Sequence, residues 1–422
     1  MTERKDVVLV TVDSWRADHC GFMGYDRDVT PTLDRLVDDG LVFENAIAPA
    51  PETNSSVSTC LTGQYPIHEL ASDGVEYAER IRHHMRARRT LPQRFREMGY
   101  ETGAFTANPW TSRFYNFDRD FDSFEDFMDE NVSSSLISDG RQASVFGDLF
   151  VQLLNWWQGQ DMFMAWEAFY DDVLAWIERA DSPYFLWIFL VDVHMPYLPP
   201  KGYRSQSRLL TLPANLSLFA GKTDVRFESL FHDVLVGAYD DTIRYTDEFF
   251  RRLTADLSDV GDGRTNGSSD EPLVAIHADH GEGFGEGGVY GHGPRVSEET
   301  LHVPFAVLNG PTGRVRRPFS LRRLPEFLPA LARGEEYDEL LDGPALARNY
   351  DPAFAVRGES WRYVWRPERE RVALRTDDGW EESDRPELES IGRELVESHI
   401  ESERERGRVM AAAEELTAET SL

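Results

Sequence analysis

Two apolar segments far apart in the chain, each followed by residues that can bind a metal, restrict the fold most strongly. The first is Val7–Val12, rich in β-branched residues and followed by Asp13, and the second is Leu273–Ile276, followed shortly by Asp279 and His280. Continuous apolar runs of this length are typical of strands buried on both faces of a parallel sheet. In open α/β sheets, ligands bind beyond the carboxyl ends of the strands. The sequence therefore predicts an α/β fold with a cation site where these two strands end.

A third apolar segment adds a candidate to the same edge of the predicted sheet. Tyr184–Val191 is also typical of a buried strand, and Asp192 and His194 follow its end. A histidine just beyond a strand end is well placed for catalysis, and an ordinary loop histidine is the alternative interpretation. The pattern alone does not separate the two.

Thr53 is the candidate nucleophile. It precedes a segment of small residues, 54–61, which is predicted to be a helix that stops at Gly63. The N-terminal end of a helix carries free N–H groups and the positive end of the helix dipole, which suit an anion and an activated hydroxyl. The alternative interpretation is that Thr53 is an ordinary N-cap residue.

Three other segments carry expectations about structure. Residues 145–177 are rich in aromatic residues at helical spacing, typical of core, with a lid or docking surface as the alternative. Residues 258–271 are rich in Gly, Ser and Asp and are predicted to be a linker. Residues 281–293 contain seven glycines and His292, which predicts a loop shaped by backbone freedom.

The charge balance excludes one class of partner. The chain has 75 acidic and 44 basic residues and a net charge of −31, and all but three of the basic residues are arginines. We interpret this as a halophilic surface, with an acidic mesophilic protein as the alternative. No basic excess remains to neutralise phosphates, so we expect no nucleic-acid partner. Neither a signal peptide nor a membrane-spanning run is recognisable, so we expect a cytoplasmic location and no transmembrane segment.

With these residues assembled, an ordered set of motifs over nearly the whole chain resembles the sulfatase family of the alkaline phosphatase superfamily. The motifs are Asp13-Ser-Trp-Arg16-Ala-Asp18, Thr30-Pro-Thr-Leu-Asp34, Phe43-Glu-Asn-Ala, Leu61-Thr-Gly63, Val191-Asp-Val-His194-Met-Pro-Tyr197, Tyr239 to Asp247, Asp279-His280-Gly-Glu282-Gly and Leu301-His-Val-Pro304.

The resemblance implies an α/β fold, a three-layer α/β/α sandwich with a large, mostly parallel central sheet. Short strands after about residue 351, followed by a charged helix over 386–402 and a helical tail, predict a small C-terminal subdomain with an antiparallel sheet and a helix. We therefore expect a catalytic domain over residues 1–348, with a helical aromatic-rich insert at about 140–180, and a C-terminal subdomain over 349–422.

The nucleophile position departs from the pattern of true sulfatases. In that family a Cys or Ser matured to formylglycine lies ten positions before the Gly of Leu-Thr-Gly, within Cys-x-Pro-Ser-Arg. Here that position, counted from Gly63, is Thr53, and Val57 replaces the Arg. Cys60 is out of register. We therefore expect no formylglycine, and Thr53 is similar to the threonine of the phosphodiesterase, lipoteichoic acid synthase and phosphoethanolamine transferase branches, where it is both nucleophile and metal ligand.

The metal ligands depart from the sulfatase pattern as well, because Ser14 stands where sulfatases have a second Asp. The resemblance leaves Asp13, Thr53, Asp279 and His280 as ligands of one divalent ion, Ca²⁺, Mg²⁺, Mn²⁺ or Zn²⁺. The imidazole favours the transition metals.

These residues imply a metal-dependent sulfatase-like hydrolase that cleaves a sulfate or phosphate ester, on a small molecule or glycan, through a covalent intermediate on Thr53. His194 and His292 would stabilise the anion or protonate the leaving group, with a second metal site as another use of His292. Arg16 would contact the anion or Asp13. One alternative is a phosphodiesterase or phospho-group transferase acting on glycan or lipid phosphates. Another is a non-catalytic family member that binds a partner.

Overall fold

The computed structural model describes most of the chain. The described residues are 4–66, 77–128, 163–181, 183–219, 225–263, 271–293, 295–350, 352–377 and 379–420.

The described residues form eighteen strands and ten α-helices. The strands are β1 (Val7–Val12), β2 (Leu41–Phe43), β3 (Ala46–Ile47), β4 (Glu101–Thr106), β5 (Ser123–Glu125), β6 (Tyr184–Leu190), β7 (Leu273–Ala278), β8 (Gly283–Phe284), β9 (Tyr290–Gly291), β10 (His302–Val303), β11 (Phe305–Leu308), β12 (Gly313–Val315), β13 (Phe319–Ser320), β14 (Ala345–Asn349), β15 (Ala353–Arg357), β16 (Trp361–Arg366), β17 (Arg369–Thr376) and β18 (Gly379–Glu382). The helices are Pro31–Leu36, Thr53–Thr62, Tyr77–Ala87, Leu91–Glu97, Tyr170–Arg179, Arg208–Phe219, Val225–Gly263, Glu298–Leu301, Leu324–Ala332 and Pro386–Thr420.

Eight strands form the central sheet, in the order β12-β2-β11-β7-β1-β6-β4-β5. The middle of the sheet is parallel, since β1 pairs in parallel with both β6 and β7, and β6 with β4. β11 is antiparallel to both of its neighbours. The predicted strands at Val7, Tyr184 and Leu273 are therefore adjacent in space, and their carboxyl ends meet at one edge.

Helices cover both faces of this sheet. Phe185 in β6 stacks on Phe95 of the helix Leu91–Glu97, with ring centroids 4.4 Å apart. The preceding residue, Tyr184, meets Trp176 of the helix Tyr170–Arg179 at 5.7 Å. Successive residues of a strand point to opposite faces, so these two helices lie on opposite sides. The three-layer α/β/α sandwich expected from the sequence is confirmed.

The aromatic-rich segment is partly described. Residues 145–162 lie outside the described residues. In the remainder, Trp166, Phe169, Tyr170 and Trp176 are all at most 1% exposed, which confirms the core interpretation for that part. The linker predicted from residue 258 is wrong in its start, because the helix Val225–Gly263 runs through the first six of those residues.

The C-terminal strands β14 to β18 form a separate antiparallel sheet of five strands. One face packs against the helix Pro386–Thr420 through Phe354, Tyr363, Val372 and Val396. The expected small antiparallel subdomain is confirmed, and its sheet begins at Ala345. The division at residue 348 stays a prediction. Within the described residues, no helix combines the length and apolarity that a bilayer crossing requires.

Candidate metal and nucleophile site

The ends of two adjacent strands bring the predicted metal ligands together. Asp13 follows β1 and Asp279 follows β7, and these strands pair in parallel with Val12 opposite Ala278. One ligand atom from each of Asp13, Asp279 and His280 lies within 4.8 Å of the others, and all three side chains are fully buried. Among the described residues this is the one group of three or more His, Cys, Asp or Glu side chains that could hold a metal ion.

The imidazole of His280 is at the centre of the group. Its Nε2 lies 3.7 Å from Oδ1 of Asp13, 3.6 Å from Oδ2 of Asp279 and 3.3 Å from Oγ1 of Thr53. The other ring nitrogen, Nδ1, donates to the carbonyl oxygen of Gly281 at 2.9 Å. Burial lowers the pKa of His280 to about 4, so the ring is neutral near pH 7. A neutral ring that donates through Nδ1 presents the Nε2 lone pair to the carboxylates.

Only one of the two carboxylate oxygens of Asp279 has hydrogen-bond partners in the protein. Its Oδ1 accepts hydrogen bonds from the backbone N–H of Ser14 and of His280, at 3.1 and 2.8 Å. Its Oδ2 is buried and has no hydrogen-bond partner. Burial and the neighbouring Asp13 raise the pKa of Asp279 well above its ordinary value. A buried, unsatisfied carboxylate oxygen facing a second carboxylate is costly alone and suits a cation.

Asp13 is held by two further side chains. The hydroxyl of Ser14 donates to Oδ1 at 2.7 Å, and the amide of Asn108 donates to Oδ2 at 2.6 Å. These bonds fix the orientation of the carboxylate. Two carboxylates, one neutral imidazole and one hydroxyl fit a divalent ion, and the imidazole favours a transition metal. The residues thus fit the ion that the sequence led us to expect.

Thr53 is the first residue of the helix Thr53–Thr62. The N-cap is Glu52, so the interpretation of Thr53 as an ordinary N-cap is wrong. The Thr53 side chain is turned to His280, not to the helix backbone. Three residues on, the hydroxyl of Ser56 donates to the backbone carbonyl of Asp279 at 2.5 Å. The helix start is therefore tied directly to the end of β7.

His292 lies against the same group from the glycine-rich loop. Its ring centroid is 4.5 Å from that of His280 and 5.1 Å from that of His194. Its Nδ1 donates to Oε1 of the fully buried Glu282 at 3.2 Å, and Oε2 of Glu282 accepts from the Tyr197 hydroxyl at 3.0 Å. Burial lowers the pKa of His292, but the carboxylates of Glu282, Asp13 and Asp279 outweigh it and raise the pKa to about 9. Without a bound ion, His292 is a cation near neutral pH.

The other two predicted catalytic residues, His194 and Arg16, have surroundings different from those of His292. His194 is half-buried, and its Nδ1 donates to the carbonyl oxygen of Met195 at 2.6 Å. Arg16 makes a bidentate contact with Asp18 at 2.8 and 2.7 Å, so of its two expected contacts, with the anion or with Asp13, the structure does not form the one with Asp13. Its Nη1 donates to the backbone carbonyl of Glu282 and to Oε1 of Glu286. Arg16 therefore braces the segment that carries Glu282.

Two residues of the site, Asn108 and Glu282, were not predicted from the sequence. Asn108 comes shortly after the end of β4, a neighbour of β6, so the strand-end argument used for Asp13 would have found it. Glu282 lies two positions after His280, but only the fold shows that it pairs with His292.

Comparisons with known proteins address the family and the fold. A family model described as Sulfatase matches residues 5–316. The ulvan-active sulfatase of Formosa agariphila is 22% identical over 376 residues, 81% of this chain and 66% of that protein, so the chain spans just under two thirds of its relative.

Solved structures resemble most of the chain. The phosphonate monoester hydrolase of Agrobacterium radiobacter has a TM-score of 0.63 at 16% identity, covering 88% of this chain and 89% of that one. The lipoteichoic acid synthase LtaP of Listeria monocytogenes has a TM-score of 0.62 at 14% identity, covering 95% and 92%. At these identities the two structures establish the fold.

Proposed function

The chain belongs to the sulfatase family, and from that premise we propose that it is a metal-dependent hydrolase of sulfate or phosphate esters with Thr53 as nucleophile. Family membership and a sulfatase among its relatives support an enzyme of the sulfatase or phosphatase type. The observation that carries the finer proposal is the 3.3 Å distance between Oγ1 of Thr53 and Nε2 of His280. It puts a hydroxyl beside the one convergent set of metal-binding side chains among the described residues.

The proposed metal set is Asp13, Thr53, Asp279 and His280. A divalent ion held by these residues would lower the pKa of the hydroxyl and neutralise a substrate oxygen. The orphaned Oδ2 of Asp279 is the strongest support, because a buried carboxylate oxygen without a donor must be balanced by a cation or by a proton.

The first chemical step is the attack of Thr53. The Thr53 hydroxyl gives up its proton to solvent, since the bound ion would lower its pKa, and Oγ forms a bond to the sulfur or phosphorus while the bond to the leaving oxygen breaks, giving an ester of Thr53. The helix start contributes as well, because free N–H groups and the positive end of the helix dipole face an anion bound there. The bond from Ser56 to the carbonyl of Asp279 holds the nucleophile beside the metal-binding side chains.

His292 is the proposed general acid. Glu282 keeps it protonated near neutral pH, and it packs on His280, so it can donate a proton to the leaving oxygen or a hydrogen bond to the anion. His194 packs on the outer side of His292 and is the second candidate for contacting the anion. Arg16 is engaged by Asp18 and Glu286, which favours a positioning role over direct contact with the substrate.

The covalent intermediate can be resolved in two ways. Attack by water on the sulfur or phosphorus regenerates Thr53 and releases the inorganic anion. Attack by an acceptor alcohol instead transfers the group, which is the alternative function on glycan or lipid phosphates. The threonine hydroxyl, in place of a formylglycine, is the observation that favours phosphate as the reacting group. A non-catalytic role is the third candidate, and the complete metal set argues against it.

A panel of three substrates tests the proposal. Purified protein is stripped with a chelator, reloaded separately with Zn²⁺, Mn²⁺, Mg²⁺ or Ca²⁺, and assayed with an aryl sulfate, an aryl phosphate monoester and a bis-aryl phosphate diester. We expect metal-dependent release of the aryl alcohol from at least one ester and none from the Thr53→Ala variant. Metal binding without turnover on any of the three would favour the non-catalytic alternative.

A further inference from the structure

One face of the C-terminal sheet carries a row of arginines. The arginines of β16 and β17 are spaced by two or four residues within each strand, so their side chains share the face opposite the helix Pro386–Thr420. Cross-strand pairing continues the row, since Arg357 is opposite Arg362 and Arg366 is opposite Arg369. We call this set the arginine face; it consists of Arg357, Arg362, Arg366, Arg369, Arg371 and Arg375.

A groove separates the arginine face from the catalytic part of the molecule. It has a volume of about 490 Å³, in the range of ligand-binding pockets. Five members of the arginine face and Arg295 line it, together with small apolar residues such as Ala355, Val364 and Ala373. Four glutamates also line it, so the arginines are in excess. In a chain of net charge −31, a positive groove is contrary to the charge of the rest of the surface.

Part of this positive charge is accessible. Arg369 and Arg371 expose 60% and 43% of their side chains, and both face the carboxylate of Glu382, which is itself 61% exposed. Ion pairs this exposed contribute little to stability. Exposed guanidinium groups on a rigid strand are suited to bidentate contacts with sulfate or phosphate oxygens. Arg357, by contrast, is buried against Glu298 and is structural.

The groove is long enough for an extended ligand. A second cavity of about 620 Å³ continues it and shares Glu298, Glu299 and Arg362 as lining residues. Trp380 lines this second cavity, with the guanidinium groups of Arg357 and Arg362 at 4.0 and 5.0 Å from the centre of its ring. These guanidinium groups hold the ring in place, and the carboxylates of Glu298 and Glu299 offer acceptors for hydroxyl groups.

The groove and the candidate site share one hairpin. Gly283 and Gly291, which pair in the hairpin β8–β9, line the groove. The residues immediately outside them are Glu282 and His292, which form the ion pair of the candidate site. A ligand in the groove therefore contacts the hairpin whose base holds the proposed general acid.

We propose that the arginine face binds sulfate or phosphate groups of an anionic polysaccharide whose ester is cleaved at Thr53. The identification of this polysaccharide as the substrate rests on the proposed function, whereas the binding itself does not. A groove with both arginines and glutamates fits a polymer that carries anionic groups between neutral hydroxyls. A nucleic acid, charged at every nucleotide, would meet the glutamates and the chain's overall negative charge.

Binding to the intact chain tests the proposal. The probe is a dextran sulfate oligomer, compared with neutral dextran, inorganic sulfate and a single-stranded oligodeoxynucleotide of equal charge, by calorimetry. All variants carry Thr53→Ala so that no turnover occurs. The test variant is R366Q/R369Q/R371Q, and the control R86Q/R89Q/R251Q removes the same charge from arginines that are 50–55% exposed elsewhere.

We expect the Kd for dextran sulfate to rise roughly tenfold or more in the test variant, because each lost charged hydrogen bond weakens binding. The control should stay within about twofold of the parent, and equal melting temperatures show that both are folded. Equal affinity in the two triple variants, tighter binding of the oligodeoxynucleotide, or equal affinity for inorganic sulfate and the oligomer would each overturn the proposal. Turnover by the Thr53→Ala parent would instead overturn the proposed function and leave the binding result intact.

Discussion

Thr53 and His280 are separated by 227 positions in the chain, yet Oγ1 of one lies 3.3 Å from Nε2 of the other. The contact exists because a helix begins at Thr53 and is tied by Ser56 to the carbonyl of Asp279, at the end of β7. The hydroxyl is thus positioned by two rigid elements. This juxtaposition supports a nucleophile beside a metal ion.

Thr53→Ala should lower kcat by roughly four orders of magnitude or more, because a nucleophile has no substitute in a covalent mechanism. Folding should be intact, since the side chain does not cap the helix. Thr53→Ser keeps the hydroxyl and is the matched control, which should retain a substantial fraction of the activity. Rates are measured with whichever ester of the panel is turned over. Activity of Thr53→Ala near that of Thr53→Ser would remove Thr53 as the nucleophile.

Asp279→Asn should make the metal-free protein more stable at neutral pH. In the wild type, burial and Asp13 raise the pKa of Asp279 above its value in the unfolded chain, which is about 4. The folded state then binds the proton more tightly, so its stability falls as the pH rises from about 4 through the folded-state value. Urea unfolding of chelated protein across pH measures this loss, which the Asn variant should lack.

Metal-loaded wild type is the control for that experiment, because a cation balances the two carboxylates and should remove the pH-dependent loss. Parallel stability curves for chelated wild type and Asp279→Asn would show that the carboxylates do not repel each other.

The sequence was sufficient to predict the site residues that follow strand ends. It was insufficient to predict which side chains pair with the other site residues. Asp13, Asp279 and His280 follow strands that are apolar for most of their length, and parallel pairing brings such ends together without further information. The contact of Arg16 with Asp18 depends on a local turn, and the pairing of Glu282 with His292 depends on the hairpin β8–β9. Hydrophobic periodicity carries no information on either of these two contacts.

Glu282→Gln should shift the alkaline limb of the pH dependence of kcat/KM to lower pH. Glu282 is the principal charge that raises the pKa of His292 to about 9, and an amide removes it. Loss of a charge at hydrogen-bond distance lowers such a pKa by roughly one unit or more, so His292 would lose its proton nearer to neutral pH. A bound divalent ion lowers the wild-type value as well, without reversing the order of the two profiles.

Tyr197→Phe is the matched control for Glu282→Gln, since it removes the bond to Oε2 and keeps the carboxylate. Its alkaline limb should move much less. Superimposable profiles for wild type and Glu282→Gln would mean that His292 is not the proton donor.

Gly281→Ala should abolish most of the activity. A Cβ at Gly281 would lie 2.0 Å from the backbone carbonyl oxygen of Glu299 and 3.2 Å from Cγ of Arg16. The backbone must therefore shift between His280 and Glu282, two residues whose positions the chemistry requires. Gly202→Ala is the control, because no atom lies within 4 Å of the added Cβ. A Gly281→Ala variant with wild-type kcat would show that the site tolerates displacement of this segment.

The arginine face could have been predicted from sequence, because alternating arginines over 362–375 mark one face of a strand pair. The groove could not, since it is formed between this sheet and the segment 283–301, whose approach depends on packing of Ile47, Val296 and Leu301 against the small residues of the sheet.

Metal analysis of the purified protein tests the central claim most directly. We predict one divalent ion per wild-type chain after gel filtration, close to none in Asp279→Ala and His280→Ala variants, and recovery of activity when the chelated wild type is reloaded. Full metal occupancy in both variants, or full activity of wild type from which the metal has been removed, would contradict the convergence of Asp13, Thr53, Asp279 and His280 on a single ion.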